Sequence, residues 1–94
     1  MKTIMPKNVL DHKDAVILDV REVEEVQAGR IEGSTHIPLG LLEFRLHELD
    51  KLKPHIVVCR SGARSGRATA YLTEQGFDAT NMVGGMNEWQ GTTV

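Results

Sequence analysis

The sequence predicts an α/β fold, a small, open, mostly parallel sheet with helices on both faces. Three observations lead there. Two apolar runs rich in branched residues, Ala15-Val16-Ile17-Leu18 and Ile56-Val57-Val58-Cys59, have strand length and no polar alternation, as strands covered on both faces do. Segments of helical character fall between such runs, and alternating strands and helices make parallel crossovers. A length of 94 residues with 40% hydrophobic and 26% charged content suits one folded domain over residues 1–94. No repeat, low-complexity tract or linker divides it.

The first predicted strand covers residues 14–20. Residues 22–28 read as a short helix, its early glutamates suiting the positive end of the dipole and Gly29 marking its stop. Thr35-His36-Ile37-Pro38 reads as a brief strand ended by a proline. Leu41, Leu42, Phe44, Leu46 and Leu49 lie in a segment of helix length without clean amphipathic spacing. Ile56-Val57-Val58-Cys59 reads as the central strand, running straight into a tight loop, Arg60-Ser61-Gly62-Ala63-Arg64. A helix is predicted over residues 65–75, with Ala68, Tyr71, Leu72 and Gln75 on one face and Gly76 as its stop. Asn81-Met82-Val83 reads as the last strand, and Gly84-Gly85 turns the chain into a short final helix bearing Trp89.

Composition narrows the function. A formal net charge of −2 gives no reason to expect nucleic acid as a partner. No apolar run reaches the roughly 20 residues of a membrane helix, and the first thirteen residues lack the apolar core of a signal peptide, so a cytoplasmic protein is expected. The single cysteine excludes an internal disulfide. His12, His36, His47 and His55 are scattered with no ligand spacing, so neither a metal nor a cofactor is expected.

Cys59 is the residue that carries chemistry. Alone, a cysteine ending an apolar strand is most simply a small buried hydrophobe. Followed by a glycine-containing loop and a helix, its sulfur sits at the C-terminal edge of a parallel sheet, where open α/β folds bind ligands. Loop amides and a helix N-terminus stabilise an anion there and lower a thiol pKa, and only the thiolate is a nucleophile. Arg60, Arg64 and Arg67 add positive charge. Arg60 and Arg67 read most simply as solvated, whereas Arg64, closing the loop, is expected to point inward. Cysteinyl-phosphate and persulfide chemistry both use such a cradle, and loop length separates them. Phosphatase loops of this kind place arginine six positions after cysteine. Here Arg64 is five positions on and Ser65 holds the sixth. The shorter ring suits one sulfur atom better than a phosphoryl group, and no aspartate in the loop or its flanks offers itself as a leaving-group acid.

Cys59-Arg60-Ser61-Gly62-Ala63-Arg64-Ser65 resembles the six-residue active-site loop of bacterial rhodanese domains with the serine that follows it. Ile17-Leu18-Asp19-Val20-Arg21-Glu22 is similar to the family's first-strand motif. Residues 29–38 are similar to its Gly-His-Ile-x-Gly-Ala-x-x-Ile-Pro stretch, and Gly84-Gly85-Met86-Asn87-Glu88-Trp89 to its closing Gly-Gly-x-x-x-Trp. The resemblance implies a rhodanese-like fold and a sulfurtransferase that passes sulfur from thiosulfate or a persulfide to a thiol, cyanide or protein acceptor. Cys59 would carry the sulfur as a persulfide, held by the amides of Arg60, Ser61, Gly62, Ala63, Arg64 and Ser65. Ser65 has an equal claim as helix N-cap. Asp19 and Arg21 could line the pocket but more simply form an ion pair, and residues 22–25 more simply a solvated helix face. The domain would act as a monomer or homodimer, or as a sulfur-carrying segment of a larger protein. Three positions depart from the family pattern: Arg30 stands where histidine is common, Glu32 where proline is, and Val26 where an aromatic is usual.

Overall fold

The computed structural model describes residues 1–94. Five strands form one sheet: β1 (Thr3–Ile4), β2 (Val16–Asp19), β3 (Thr35–His36), β4 (His55–Val58) and β5 (Ala79–Met82). Their spatial order is β1-β5-β4-β2-β3, and every neighbouring pair is parallel. The sheet is therefore wholly parallel, and all four residues of its central strand β4 are buried. Two α-helices, α1 (Val23–Gln27) and α2 (Ala63–Glu74), join four 3-10 turns: Pro6–Asp11, Leu39–Phe44, Leu46–Glu48 and Gly85–Glu88.

Alternation along the strands divides the core in two. Leu18, Val57, Cys59 and Ala79 pack with Ala68 and Leu72 of α2 and with Leu42 of the Leu39–Phe44 turn. On the opposite face Ile56, Val58 and Met82 pack with Val9 of the Pro6–Asp11 turn and with Ile31, while Met86 and Trp89 close over them. Both faces are thus covered, which explains why β4 reads as an unbroken apolar run.

Several boundaries differ from the sequence expectation. The leucine-rich segment 41–49 forms two 3-10 turns rather than one helix, consistent with its lack of a 3.6-residue spacing. α2 begins at Ala63, two residues early, because Gly62 supplies a left-handed N-cap with φ of 106°. Ser65 is consequently inside the first turn and is not the cap. Buried positions on α2 are Ser65, Ala68, Thr69 and Leu72, and Gln75 is exposed. β1 and the turn after it carry too few residues for any periodic signal. They are set by pairing with β5, where Asn81 N–H donates to Lys2 O and Val83 N–H to Ile4 O.

Candidate functional site

Cys59 follows the last residue of β4 and is fully buried. The chain turns at once into a ring that leads into α2. Gly62 N–H donates to Cys59 Sγ at 3.1 Å, and Ser65 Oγ lies 3.2 Å from the same sulfur. Burial alone pushes the thiol pKa up. The Ser65 hydroxyl and the backbone amides of Ser65, Gly62 and Ser61 outweigh it and set Cys59 below its usual range. The sulfur therefore sits where its ionised form is favoured, at the positive end of a twelve-residue helix.

The ring is held from behind by the turn that follows β5. Met86 N–H donates to Cys59 O at 2.8 Å and Asn87 N–H to Arg60 O at 3.0 Å. Gly85 lies so close that a Cβ there would stand 2.5 Å from the carbonyl atoms of Arg60 and Cys59. With φ of 58°, it is a position where only glycine fits both the turn and the contact.

A second layer consists of Asn81, which the sequence offered only as a strand residue. Its side chain accepts from Ser65 Oγ at 2.6 Å and donates through Nδ2 to Gly62 O at 3.2 Å. Buried Cys59, Ser65 and Asn81 thus form one connected polar chain under the ring.

Arg64 does not stand free in the ring. Its Nη1 and Nη2 donate to the two oxygens of Glu25 at 2.6 and 2.8 Å, a fork-to-fork pair, and Arg60 Nε reaches the same carboxylate at 3.3 Å. The hydrogen bond from Arg64 is the largest cause that holds the Glu25 carboxyl at about 2. Glu25 also accepts from the Glu22 backbone N–H at 3.0 Å, a capping box that ties the start of α1 to the start of α2. A cation in the first turn of α2 opposes the helix dipole, and Glu25 offsets it. Glu25 belongs to the run expected to be a solvated face. Sequence separation of 35 and 39 residues from its partners hid the contact. Ser61, Ala63 and Arg67 are exposed, so the ring opens to solvent on its outer side.

Asp19 and Arg21 form a buried ion pair at the end of β2. Arg21 Nε and Nη2 grip the carboxylate at 2.8–3.1 Å, and Nη2 also donates to Gly29 O at 2.8 Å. His36 Nε2–H donates to Arg21 O at 2.7 Å, so the pair pins β2, β3 and the end of α1 together. Arg30 Nε donates to Ser34 Oγ at 3.2 Å and braces the turn between them, Glu32 is exposed, and Val26 is buried without an aromatic ring. One groove of about 460 Å³, lined by Met5, Leu10, Val83, Gly84 and Trp89 among others, contains neither Cys59 nor any other ring residue. No helix is long and apolar enough to cross a membrane.

Comparison with known proteins agrees with this geometry. Residues 6–92 match the rhodanese-like domain. The chain is 39% identical to the thiosulfate sulfurtransferase GlpE of Pseudoalteromonas translucida, covering 87% of this chain and 79% of that protein. A rhodanese-related protein from Thermoplasma volcanium superposes with a TM-score of 0.95 at 28% identity, over 100% of this chain and 98% of the other. The NAD-dependent persulfide reductase of A. fulgidus superposes with a TM-score of 0.79 at 40% identity, over 95% of this chain but 16% of that one. The chain belongs to the rhodanese-like family, whose relatives of similar length include thiosulfate sulfurtransferases.

Proposed function

We propose that this protein is a sulfurtransferase that carries a sulfane sulfur on Cys59. One observation carries the reading: Cys59 Sγ lies buried at the mouth of a helix N-terminus, 3.1 Å from the Gly62 N–H and 3.2 Å from the Ser65 hydroxyl. In the first half-reaction the Cys59 thiolate attacks the outer sulfur of thiosulfate. A new S–S bond forms, the old one breaks, and its electron pair leaves with sulfite. The product, Cys59–S–S⁻, is an anion, and the amides of residues 60–65 are the groups that would hold it. In the second half a thiol or cyanide attacks that outer sulfur, and its electron pair returns to Cys59 as thiolate. No proton needs to reach the leaving sulfite, so the absence of a general acid costs this reaction nothing.

The partners follow from the same chemistry: a thiosulfate or persulfide donor, and a thiol, cyanide or protein acceptor. A persulfide donor, from a small thiol or from another protein, has its own support. Thiosulfate is a dianion and needs a cation in the cradle, yet Arg64 is already paired with Glu25. The reacting persulfide group carries at most one charge, which loop amides can hold without a cation. The A. fulgidus persulfide reductase, in which a similar domain is one part of a longer chain, is consistent with such a donor. Intact mass decides both points. Thiosulfate, or glutathione persulfide, is expected to add ~32 Da, removable by cyanide or reductant, and Cys59→Ser to show no adduct with either. The donor that loads the protein faster is the one the cradle suits. An adduct on the serine variant would place the chemistry elsewhere.

A further inference from the structure

The Ser65 hydroxyl has one proton and two acceptors competing for it. Cys59 Sγ is 3.2 Å away and Asn81 Oδ1 is 2.6 Å away. The orientation of the Asn81 amide is not free. Its Nδ2 donates to Gly62 O at 3.2 Å, and a flipped amide would set Oδ1 against that carbonyl, acceptor facing acceptor. The amide therefore presents an oxygen to Ser65. An amide oxygen can only accept and is a better acceptor than a neutral thiol, so it takes the proton, and the serine turns its lone pairs toward the sulfur. In that state Ser65 accepts from the Cys59 thiol, and it can donate to the thiolate only by giving up its bond to Asn81.

We propose that Asn81 is a positioning residue for Cys59, acting through Ser65: its amide decides whether the serine hydroxyl accepts from the thiol or donates to the sulfur anion. The relay Cys59–Ser65–Asn81 then has two arrangements. With the thiol, the protons run from sulfur to serine to amide. With the thiolate or the persulfide anion, the serine proton turns back to sulfur and Asn81 Oδ1 is left without it. Breaking the short bond to Asn81 is a cost charged to the anion, so Asn81 holds the thiolate less stable than the cradle alone would make it. That has a use: within a series, a thiolate of higher pKa is the stronger nucleophile.

The inference rests on Cys59 as the reacting group but needs no sulfur donor for its test. With one cysteine in the chain, alkylation rate against pH reports this thiol alone. The charged groups on the surrounding elements are Asp19 ending β2 and Arg21 after it, Glu22, Glu24 and Glu25 at α1, Arg60, Arg64, Arg67 and Glu74 of the ring and α2, and Glu88 of the last turn. Substitution at Asn81 leaves them all in place. Gly62 O also keeps a partner, since Gly66 N–H donates to it at 3.0 Å.

Asn81→Leu and Asn81→Ala are expected to lower the titration midpoint of Cys59 by on the order of one pH unit, as the freed hydroxyl turns to the thiolate. The plateau rate at high pH should fall by roughly 2- to 3-fold with it. In a Ser65→Ala background the same Asn81 changes should leave the midpoint unmoved. Mere loosening of the ring would act in the opposite direction, moving the midpoint up toward about 8.5. A midpoint that rises or stays in the Asn81 variants, or falls equally without Ser65, overturns the proposal. Failure of the persulfide reading would instead appear as a missing mass adduct with this titration intact.

Discussion

His55 opens the central strand and Cys59 follows its end, four residues later on the same face of the sheet. Both are buried, at 1% and 0% exposure, and both titrate. Burial pushes each toward its neutral form, and only one yields. His55 donates from Nδ1 to Lys53 O at 2.9 Å, packs edge-on to Phe77, and leaves Nε2 with no partner. Desolvation is the largest cause of its lowered pKa. Cys59, equally dry, meets a hydroxyl and three amides, and they lower its pKa. The difference is strand direction. In a parallel sheet the end of β4 meets the start of α2 with its free N–H groups, whereas the beginning of β4 lies beside the segment after α2 ends. One fold therefore makes an edge that favours the charged form and an edge that favours the neutral form from the same strand.

The comparison breaks most sharply at Gly85. Gly85→Ala would put a methyl group 2.5 Å from the carbonyls of Cys59 and Arg60 at a φ of 58°. A loss of more than about 2 kcal/mol is expected by denaturant unfolding, with Cys59 titrating closer to a free thiol. The Cys59 edge would then resemble the His55 edge.

Glu25→Gln acts more mildly. It keeps the shape and removes the charge that holds Arg64 and Arg60, at an expected cost of about 1–2 kcal/mol near neutral pH after solvent screening. The folded carboxyl titrates at about 2 against an ordinary value of 4.5. Its contribution is therefore complete above about 4.5 and is lost as the pH falls toward 2. The variant and the wild type should converge in stability over that window. A difference that persists unchanged at pH 2–3 would show that the charge of Glu25 is not what stabilises the ring.

The smallest effect sharpens the His55 edge. His55 binds its proton less readily folded than unfolded, where its pKa is about 6.5. The unfolded chain thus holds more protons below that value, and stability falls as the pH drops through 6.5. His55→Leu removes the unpartnered nitrogen and should change stability by less than about 1 kcal/mol at pH 8, while flattening the slope between pH 6.5 and 5. An unchanged slope would show that His55 is not its source.

The parts legible in the sequence are those whose cause is local. The ring from Cys59 to Ser65 is contiguous, and the β-branched runs of β2 and β4 declare buried strands without help. Parallel order follows once helices separate them. What escaped is held by partners far along the chain. Glu25 looks like one of three surface glutamates until α2 brings Arg64 to it, and Asn81 looks like an ordinary strand residue until Ser65 lands 2.6 Å away. Ser65 has an equal claim as cap in the sequence because nothing local says that Gly62, three residues earlier, adopts the left-handed conformation that caps the helix. β1 has two residues and exists only because β5 offers it an edge.

The grip of the last turn on the ring has one more consequence. Arg60 O is pinned outward by Asn87 N–H, and in a planar trans peptide the following Ser61 N–H must point the other way, toward the sulfur. A flip of that peptide would have to break the outer bond first. The dipoles around Cys59 are therefore aimed when the chain folds, and the proposed cycle between thiolate and persulfide would not need them re-aimed. Turnover in such a ring calls for almost no backbone reorganisation, and its speed should depend on how donors and acceptors arrive rather than on any movement of the cradle.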